Sequence, residues 1–283
     1  MNKTNSRKRM LIGYALVLPA FLVVMLTVAY PILSSVIMSF QDGKTGAFTL
    51  ENYKHFFVTE SQLKNIGFTL YVVVVTVVLA IVIAYLLALY LRFVKSPISR
   101  AIGTLYLLPR FIPGLVAVYA MITIIRDTGV INRIAQLLFN YDFKPAMMYH
   151  ASGLIIMNLW FNIPFAALMI TAGLGAIPDS VIESARDVGA SRMRVFRTMI
   201  LPLSMKDVVV AATFVFMTNV GSFTTPYLIG GNSPKMLGIA LYDQFNRYLD
   251  YNRSAALSVI MFLICSVSAG IYIYTNLKEK EWE

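Results

Sequence analysis

Apolar residues along this chain come in long runs that Asp, Glu, Lys and Arg do not interrupt. Such runs cover residues 10–41, 65–91, 145–178, 208–234 and 254–277. A sixth, 101–125, is broken only by Arg110. Crossing the hydrocarbon core of a bilayer takes about 20 apolar residues in a helix. An unpaired backbone is so costly in lipid that runs of this length must be helical. The pattern therefore predicts an all-α polytopic membrane protein with six transmembrane helices. Their cores are placed at 11–38, 66–91, 102–125, 152–176, 208–229 and 256–277. No internal repeat or low-complexity linker divides them, so residues 1–283 are expected to form a single transmembrane domain.

The first run follows a basic segment, Lys3, Arg7, Lys8 and Arg9, as a secretory signal would. It continues through Tyr30-Pro31 to Phe40, which is too long for a cleaved apolar region, so a retained first helix is expected. Composition agrees: 58% of the 283 residues are hydrophobic and only 13% are charged, against about 25% in soluble domains. The net charge of +10 suggests no nucleic-acid partner, because Lys and Arg fall in short runs between apolar stretches and form no continuous basic face. The one cysteine, Cys265, lies in an apolar run and is silent about redox compartment.

Orientation follows from Lys and Arg in the connecting segments. A cytoplasmic N-terminus puts 14 of them inside, including Arg92, Lys95, Arg100, Arg186, Arg192, Arg194, Arg197, Lys206, Lys278 and Lys280, and 9 outside. An even number of spans then predicts that both termini are cytoplasmic.

The segment 179–206, between the fourth and fifth spans, carries the most chemistry. Asp179-Ser180 can cap a helix start, and Glu183 near the first turn suits the helix dipole. Ser184 and Ala185 are small enough for another surface to approach the backbone. Gly189 bends or breaks the helix, Val195, Phe196, Met199 and Ile200 recur at helical spacing, and Pro202 punctuates the entry to the fifth span. A short helix, a bend and an amphipathic helix are predicted on the cytoplasmic face. Two readings fit: a rigid knob for a soluble partner, or a solvated connector with an interfacial helix.

The same residues resemble a known family. Permeases of binding-protein-dependent ABC importers carry Glu-Ala-Ala, three residues, Gly-Ala, five residues, Phe, two residues, Ile, one residue and Leu-Pro. This chain matches at Glu183, Ala185, Gly189, Ala190, Phe196, Leu201 and Pro202, with Ser184 and Met199 as small and apolar departures. Ala185-Arg186-Asp187-x-Gly189-Ala190 and residues 223–231, Phe-Thr-Thr-Pro-Tyr-Leu-Ile-Gly-Gly, resemble the spermidine/putrescine branch and its iron, thiamine and aminophosphonate relatives. Gly129-Val130-Ile131-Asn132 and Asn52-Tyr53 add weaker likeness. The resemblance implies the type I importer permease fold in a bacterial inner membrane. It implies that Glu183, Ser184, Ala185, Asp187, Gly189, Ala190, Phe196, Leu201 and Pro202 couple the chain to a cytoplasmic ABC ATPase dimer. A second permease subunit of different sequence and an extracytoplasmic substrate-binding protein would complete the assembly. The chain itself would be no enzyme and hold no cofactor, since ATP would be bound by the partner subunit. A polyamine solute is implied by branch, with iron, thiamine, aminophosphonate or sugar as alternatives.

The remaining residues offer no catalytic set. His55 and His150 are far apart and have no neighbouring His or Cys, so no metal site is predicted. Gly43-Lys44-Thr45 resembles the end of a phosphate-binding loop, but Met38 stands where the first Gly is needed. Arg110, between Pro109 and Pro113, falls near mid-depth. It either lines a pathway or forms an ion pair, or it snorkels to the head groups. Asn158, Trp160, Asn162, Asn219, Ser222, Thr224 and Tyr227 are candidate pathway positions. For the polar ones, hydrogen bonding between helices is the favoured alternative. Trp282 is expected at the interface or on a partner. No Asp or Glu falls inside the predicted spans, which argues against an ion-coupled secondary transporter. A channel or scaffold would not need the 179–206 segment.

Overall fold

The computed structural model describes the backbone of residues 3–279 and the side chains of residues 13–275. The side chains of Lys3, Arg7, Lys8, Arg9, Lys278, Lys280 and Trp282 lie outside the described residues. Six helical stretches are long and apolar enough to cross a membrane. They are Gly13–Ser39, Glu60–Phe93, Gly114–Phe139, Ala151–Ala176, Arg192–Val220 and Tyr251–Thr275, here spans one to six. No strand occurs among the described residues. One isolated bridge joins Gln41 and Phe48.

Two predicted spans are built differently from expectation. The run 102–125 is not one helix. It consists of Pro97–Leu105, a 3-10 turn at Leu108–Phe111 and Gly114–Ile125. Pro109 and Pro113 lack the N–H that a continuous helix needs, and their rings crowd the preceding carbonyls. After a further break at residues 126–129, Val130–Phe139 completes span three. The fifth span runs Arg192–Val220 rather than 208–229, because helical continuity does not stop at Lys206 and Asp207 as the uncharged run does. Gly221 ends it, and Thr224–Ile229 is a separate short helix.

Two wide turns share a cause. Met25–Ala29 and Phe196–Ile200 are π turns, each followed one residue later by a proline, Pro31 and Pro202. The N–H of Tyr30 reaches Met25 O, and that of Leu201 reaches Phe196 O. Widening the turn accommodates a proline that can neither donate nor tolerate the carbonyl four residues back.

The chain divides into two compact units. The first comprises residues 1–59 and 241–260. Within it, the Asn52 amide donates to Ser39 O and Gln41 O, both at 2.9 Å, and so satisfies carbonyls at the end of span one. The Tyr53 hydroxyl lies 2.6 Å from Ser39 Oγ. The Asn252 amide donates to Met38 O and Gln41 O. The second unit comprises residues 60–240 and 261–283. Its core joins spans two, four and five. Ala80, Ala84 and Ala88 cluster with Ala166, Ala167, Ile170, Ala211 and Val215, all buried. Small side chains let helix backbones approach, which is how apolar helices gain dispersion contact in lipid.

Candidate functional site

Span four ends at Ala176 and the next helix begins at Asp179, so the chain turns tightly between them. The last carbonyls of a helix have no partner within it. Arg92, in the last turn of span two, supplies one. Its Nε donates to Leu174 O at 3.3 Å, and its Nη2 donates to Ile177 O at 3.2 Å. The same Nη2 meets Asp179 Oδ1 at 2.6 Å. Asp179 was expected to cap its helix. It makes no cap bond: Pro178 holds the N-cap position, Asp179 is the first helical residue, and its carboxylate meets Arg92 instead. The Asp179 side chain is 65% exposed, so the ion pair itself adds little and the carbonyl bonds carry the clamp.

The helix Asp179–Asp187 turns Ile182 and Ala185 into the same core cluster as Tyr85, Ala88 and Val195. Ala185 is therefore no part of an outward close-approach surface, as its size had suggested. It is 6% exposed and packs inward. The outward face is made by Glu183, Ser184, Asp187, Val188 and Gly189, all exposed. At Gly189 the backbone is left-handed, φ +80°, a conformation that costs other residues about 1–2 kcal/mol. Its N–H donates to Arg186 O at 2.8 Å, and that of Ala190 to Ala185 O at 3.0 Å. Among the described residues, nothing beyond its chain neighbours lies within 4 Å of where a Cβ on Gly189 would stand.

The second limb is not a separate amphipathic helix. Ser191 Oγ accepts from the Arg194 N–H at 3.3 Å and starts span five directly. Val195 and Ile200 are buried. Phe196 meets the Tyr85 ring edge-on at 6.2 Å, and the Tyr85 hydroxyl lies 2.9 Å from Ser204 Oγ. Leu201 packs partly buried against the core cluster, while Pro202 is exposed. Both limbs of the loop are thus fastened to span two, the first through Arg92 and the second through Tyr85.

A carboxylate does stand inside a span, contrary to expectation. Asp207 belongs to the continuous helix Arg192–Val220, and its side chain occupies the notch left by Gly173 in span four. Any Cβ at Gly173 would collide with it.

The candidate pathway residues do not form one cluster. Asn158, Asn162 and Asn219 are buried. Their bonding corrects the expectation of links between helices. The Asn162 amide donates to Asn158 O at 2.7 Å and the Asn219 amide to Val215 O at 2.6 Å, each within its own helix. Asn158 Nδ2 is buried with no hydrogen-bond partner. Trp160 and Tyr227 are exposed, as are Arg110 and Thr224, and Ser222 is half-buried. Arg110 stands over the Phe165 ring, 5.1 Å from its centre, and Phe165 meets Phe214 edge-on at 6.0 Å. Beyond the end of span three, the Asp142 carboxyl is held below its usual range, chiefly by the hydrogen bond from the Asn132 amide.

A protein-family model described as "Binding-protein-dependent transport system inner membrane component" matches residues 80–278, well over half of the chain. The chain belongs to this family. The permease is 24% identical over 225 residues to a spermidine/putrescine permease, PotB of Salmonella typhimurium, covering 80% of this chain and 78% of that protein. It is 28% identical over 281 residues to SmoG, a sulfoquinovosyl glycerol permease of Agrobacterium fabrum, covering 93% and 89%. It is 27% identical over 273 residues to SugA, a trehalose permease of Mycobacterium tuberculosis, covering 93% and 87%. Its fold resembles a chain of a bacterial ABC transporter that imports alginate, with TM-score 0.81, 19% identity and 98% of both chains covered. A methionine ABC transporter chain matches with TM-score 0.56 at 20% identity, covering 75% of this chain and 93% of that one. This permease is accordingly a multi-pass membrane subunit of an ABC importer.

Sequence reasoning missed the residues that hold the site in place. Arg92 was counted only as a loop charge, and Tyr85 was one aromatic among many in an apolar run. Asn65 and Thr69 of span two were also passed over. Asn65 Oδ1 accepts from the Lys235 N–H and Thr69 Oγ1 from the Leu237 N–H, both at 2.9 Å, which pins the segment after residues 223–231. Polar residues in an otherwise apolar span were the available signal.

Proposed function

We propose that this permease forms half of a solute pathway and is driven through residues 179–206 by a cytoplasmic ATPase dimer. Loop and both termini lie in the cytoplasm. A second, different permease chain and an extracytoplasmic binding protein complete the machine. The observation that carries this reading is the asymmetry of the helix Asp179–Asp187. Its inner face is locked to span two, while its outer face ends in Val188, 85% exposed, beside the bare backbone of Gly189. A connector would need neither the lock nor the exposed apolar tip. A docking knob needs both, since force applied to it reaches the spans through Arg92 and Tyr85. The test is reconstitution with the ATPase and binding protein in nanodiscs. ATPase stimulation by the loaded binding protein should be lost in Glu183→Arg while the variant still inserts. Parental stimulation would refute the docking role.

For the solute, a hydroxyl-rich neutral or acidic compound is favoured over a polyamine. Arg110 over Phe165 offers a cation, a donor fork and an aromatic face. A polycation would meet repulsion there. The sugar-type relatives also align over more of the chain. The polyamine reading keeps the support of residues 185–190 and 223–231 and of the spermidine/putrescine relative. Binding protein loaded with an oligosaccharide should stimulate the reconstituted ATPase, and stimulation by spermidine alone would reverse the order.

A further inference from the structure

The end of span two and the segment after it border an open pocket of about 570 Å³. Its lining has two characters. Lys95 and Arg100 bring positive charge, and neither has a carboxylate within ion-pair distance among the described residues. Leu91, Val94 and Gly103 form an apolar stretch of the same wall. The pocket also takes in the start of the helix Pro97–Leu105, where Pro97 has no N–H and the Ser99 N–H is already capped by Ser96 Oγ. Thr171 of span four also borders it. Its hydroxyl has no hydrogen-bond partner but is closed off from solvent, so it lies behind the wall and not in the open pocket. Two cations without an ion-pair partner beside an apolar wall call for an amphipathic anion.

We propose that this pocket holds the phosphate head group of an anionic phospholipid, with an acyl chain along Leu91, Val94 and Gly103. Lys95 and Arg100 bind the phosphate. The apolar wall at the end of a membrane span favours a lipid over free phosphate, which would leave that wall wet. Lys95 also borders the groove of about 190 Å³ shared by Arg92, Asp179, Glu183 and Arg186. Lipid binding would draw Lys95 away from that groove and so tie membrane composition to the proposed ATPase-facing loop. The binding itself stands apart from the docking reading; only this consequence rests on it.

The test uses the assembled transporter and native mass spectrometry, with phosphatidylglycerol, phosphatidylcholine and inorganic phosphate as probes. The parental complex should retain phosphatidylglycerol in preference to phosphatidylcholine. Lys95→Gln and Arg100→Gln should each lower retention about fivefold, at about 1 kcal/mol per basic residue. Arg100→Lys should keep it. Gly103→Leu fills the apolar wall without changing charge and should lower retention as well. A Cβ there stands 3.5 Å from Leu91 Cδ2, so the helix tolerates the change. Equal retention by the Gln and Leu variants would overturn the proposal. So would equal binding of phosphatidylcholine, or displacement of the lipid by inorganic phosphate. Loss of retention in these variants with docking to the ATPase unchanged would support the lipid site and leave the docking reading intact.

Discussion

At Gly189 a side chain meets strain but no collision within the permease, and that separates two effects of substitution. Gly189→Ala forces a Cβ into the left-handed region at a cost of about 1–2 kcal/mol. Gly189→Trp pays the same backbone cost, and its Cβ likewise meets no atom within 4 Å among the described residues beyond its chain neighbours. Any additional loss of uptake in the Trp variant therefore reports a partner at that surface. We expect Gly189→Trp to abolish uptake at normal membrane abundance and to weaken ATPase copurification, with Gly189→Ala far milder. Equal uptake by the two variants would leave the loop without a docked partner. The notch at Gly173 permits a second test. Gly173→Ala should destabilise the detergent-solubilised protein by about 1–3 kcal/mol through overpacking against Asp207. Adding Asp207→Ala should recover most of that loss, since the pair is in contact. Melting curves of the single and double variants decide it, and the same loss in both would show the two residues to be independent. Individual residues were the least legible level of the sequence. Gly189 could be placed because a left-handed turn demands it locally, whereas Glu183, read from the helix dipole, stands past the first turn, whose acidic residue is Asp179. Ala185 was assigned the wrong face, since its size is compatible with either. Arg92 and Asp179 meet across 87 positions, a separation that no local pattern reports.

Among the elements, the broken segment ahead of span three sets Arg110 in a 3-10 turn between two prolines, with its guanidinium on Phe165. Replacing both Pro109 and Pro113 by Ala should favour a continuous helix, since an interior proline disfavours one by about 3 kcal/mol. Such a helix would re-aim Arg110 off the ring. We expect that double variant and Arg110→Leu to insert normally and to lose most uptake. Full uptake by Arg110→Leu would assign the side chain to the head groups. Spans one, two, four and six were legible because charge-free length alone decides them. The start of span five was not. Its first turns carry Arg192, Arg194 and Arg197 and lie outside any apolar window, yet the helix continues through them because its buried face is kept by Val195 and Ile200. The wide turn before Pro202 follows from proline chemistry, although a sequence alone leaves a break equally open.

For the molecule as a whole, orientation decides whether loop and ATPase can meet. With Cys265 first replaced by Ser, a cysteine at Asn232 should react with an impermeant maleimide added from outside, and one at Ser191 should react only after permeabilisation. The opposite pattern would place the loop beyond the reach of a cytoplasmic ATPase. The Arg92 clamp bears on how such machines could exchange parts. Its guanidinium joins the end of span two, the end of span four and the first residue of the loop helix. A chimera that transplants residues 179–191 from another permease would thus import a surface without its mounting. If the donor chain lacks an arginine at the end of its second span, its loop has been shaped for a different fastening and should sit askew on this scaffold. The smallest portable recognition module here is a loop plus one distant residue, and mismatched pairs should be rescued by changing position 92 alone.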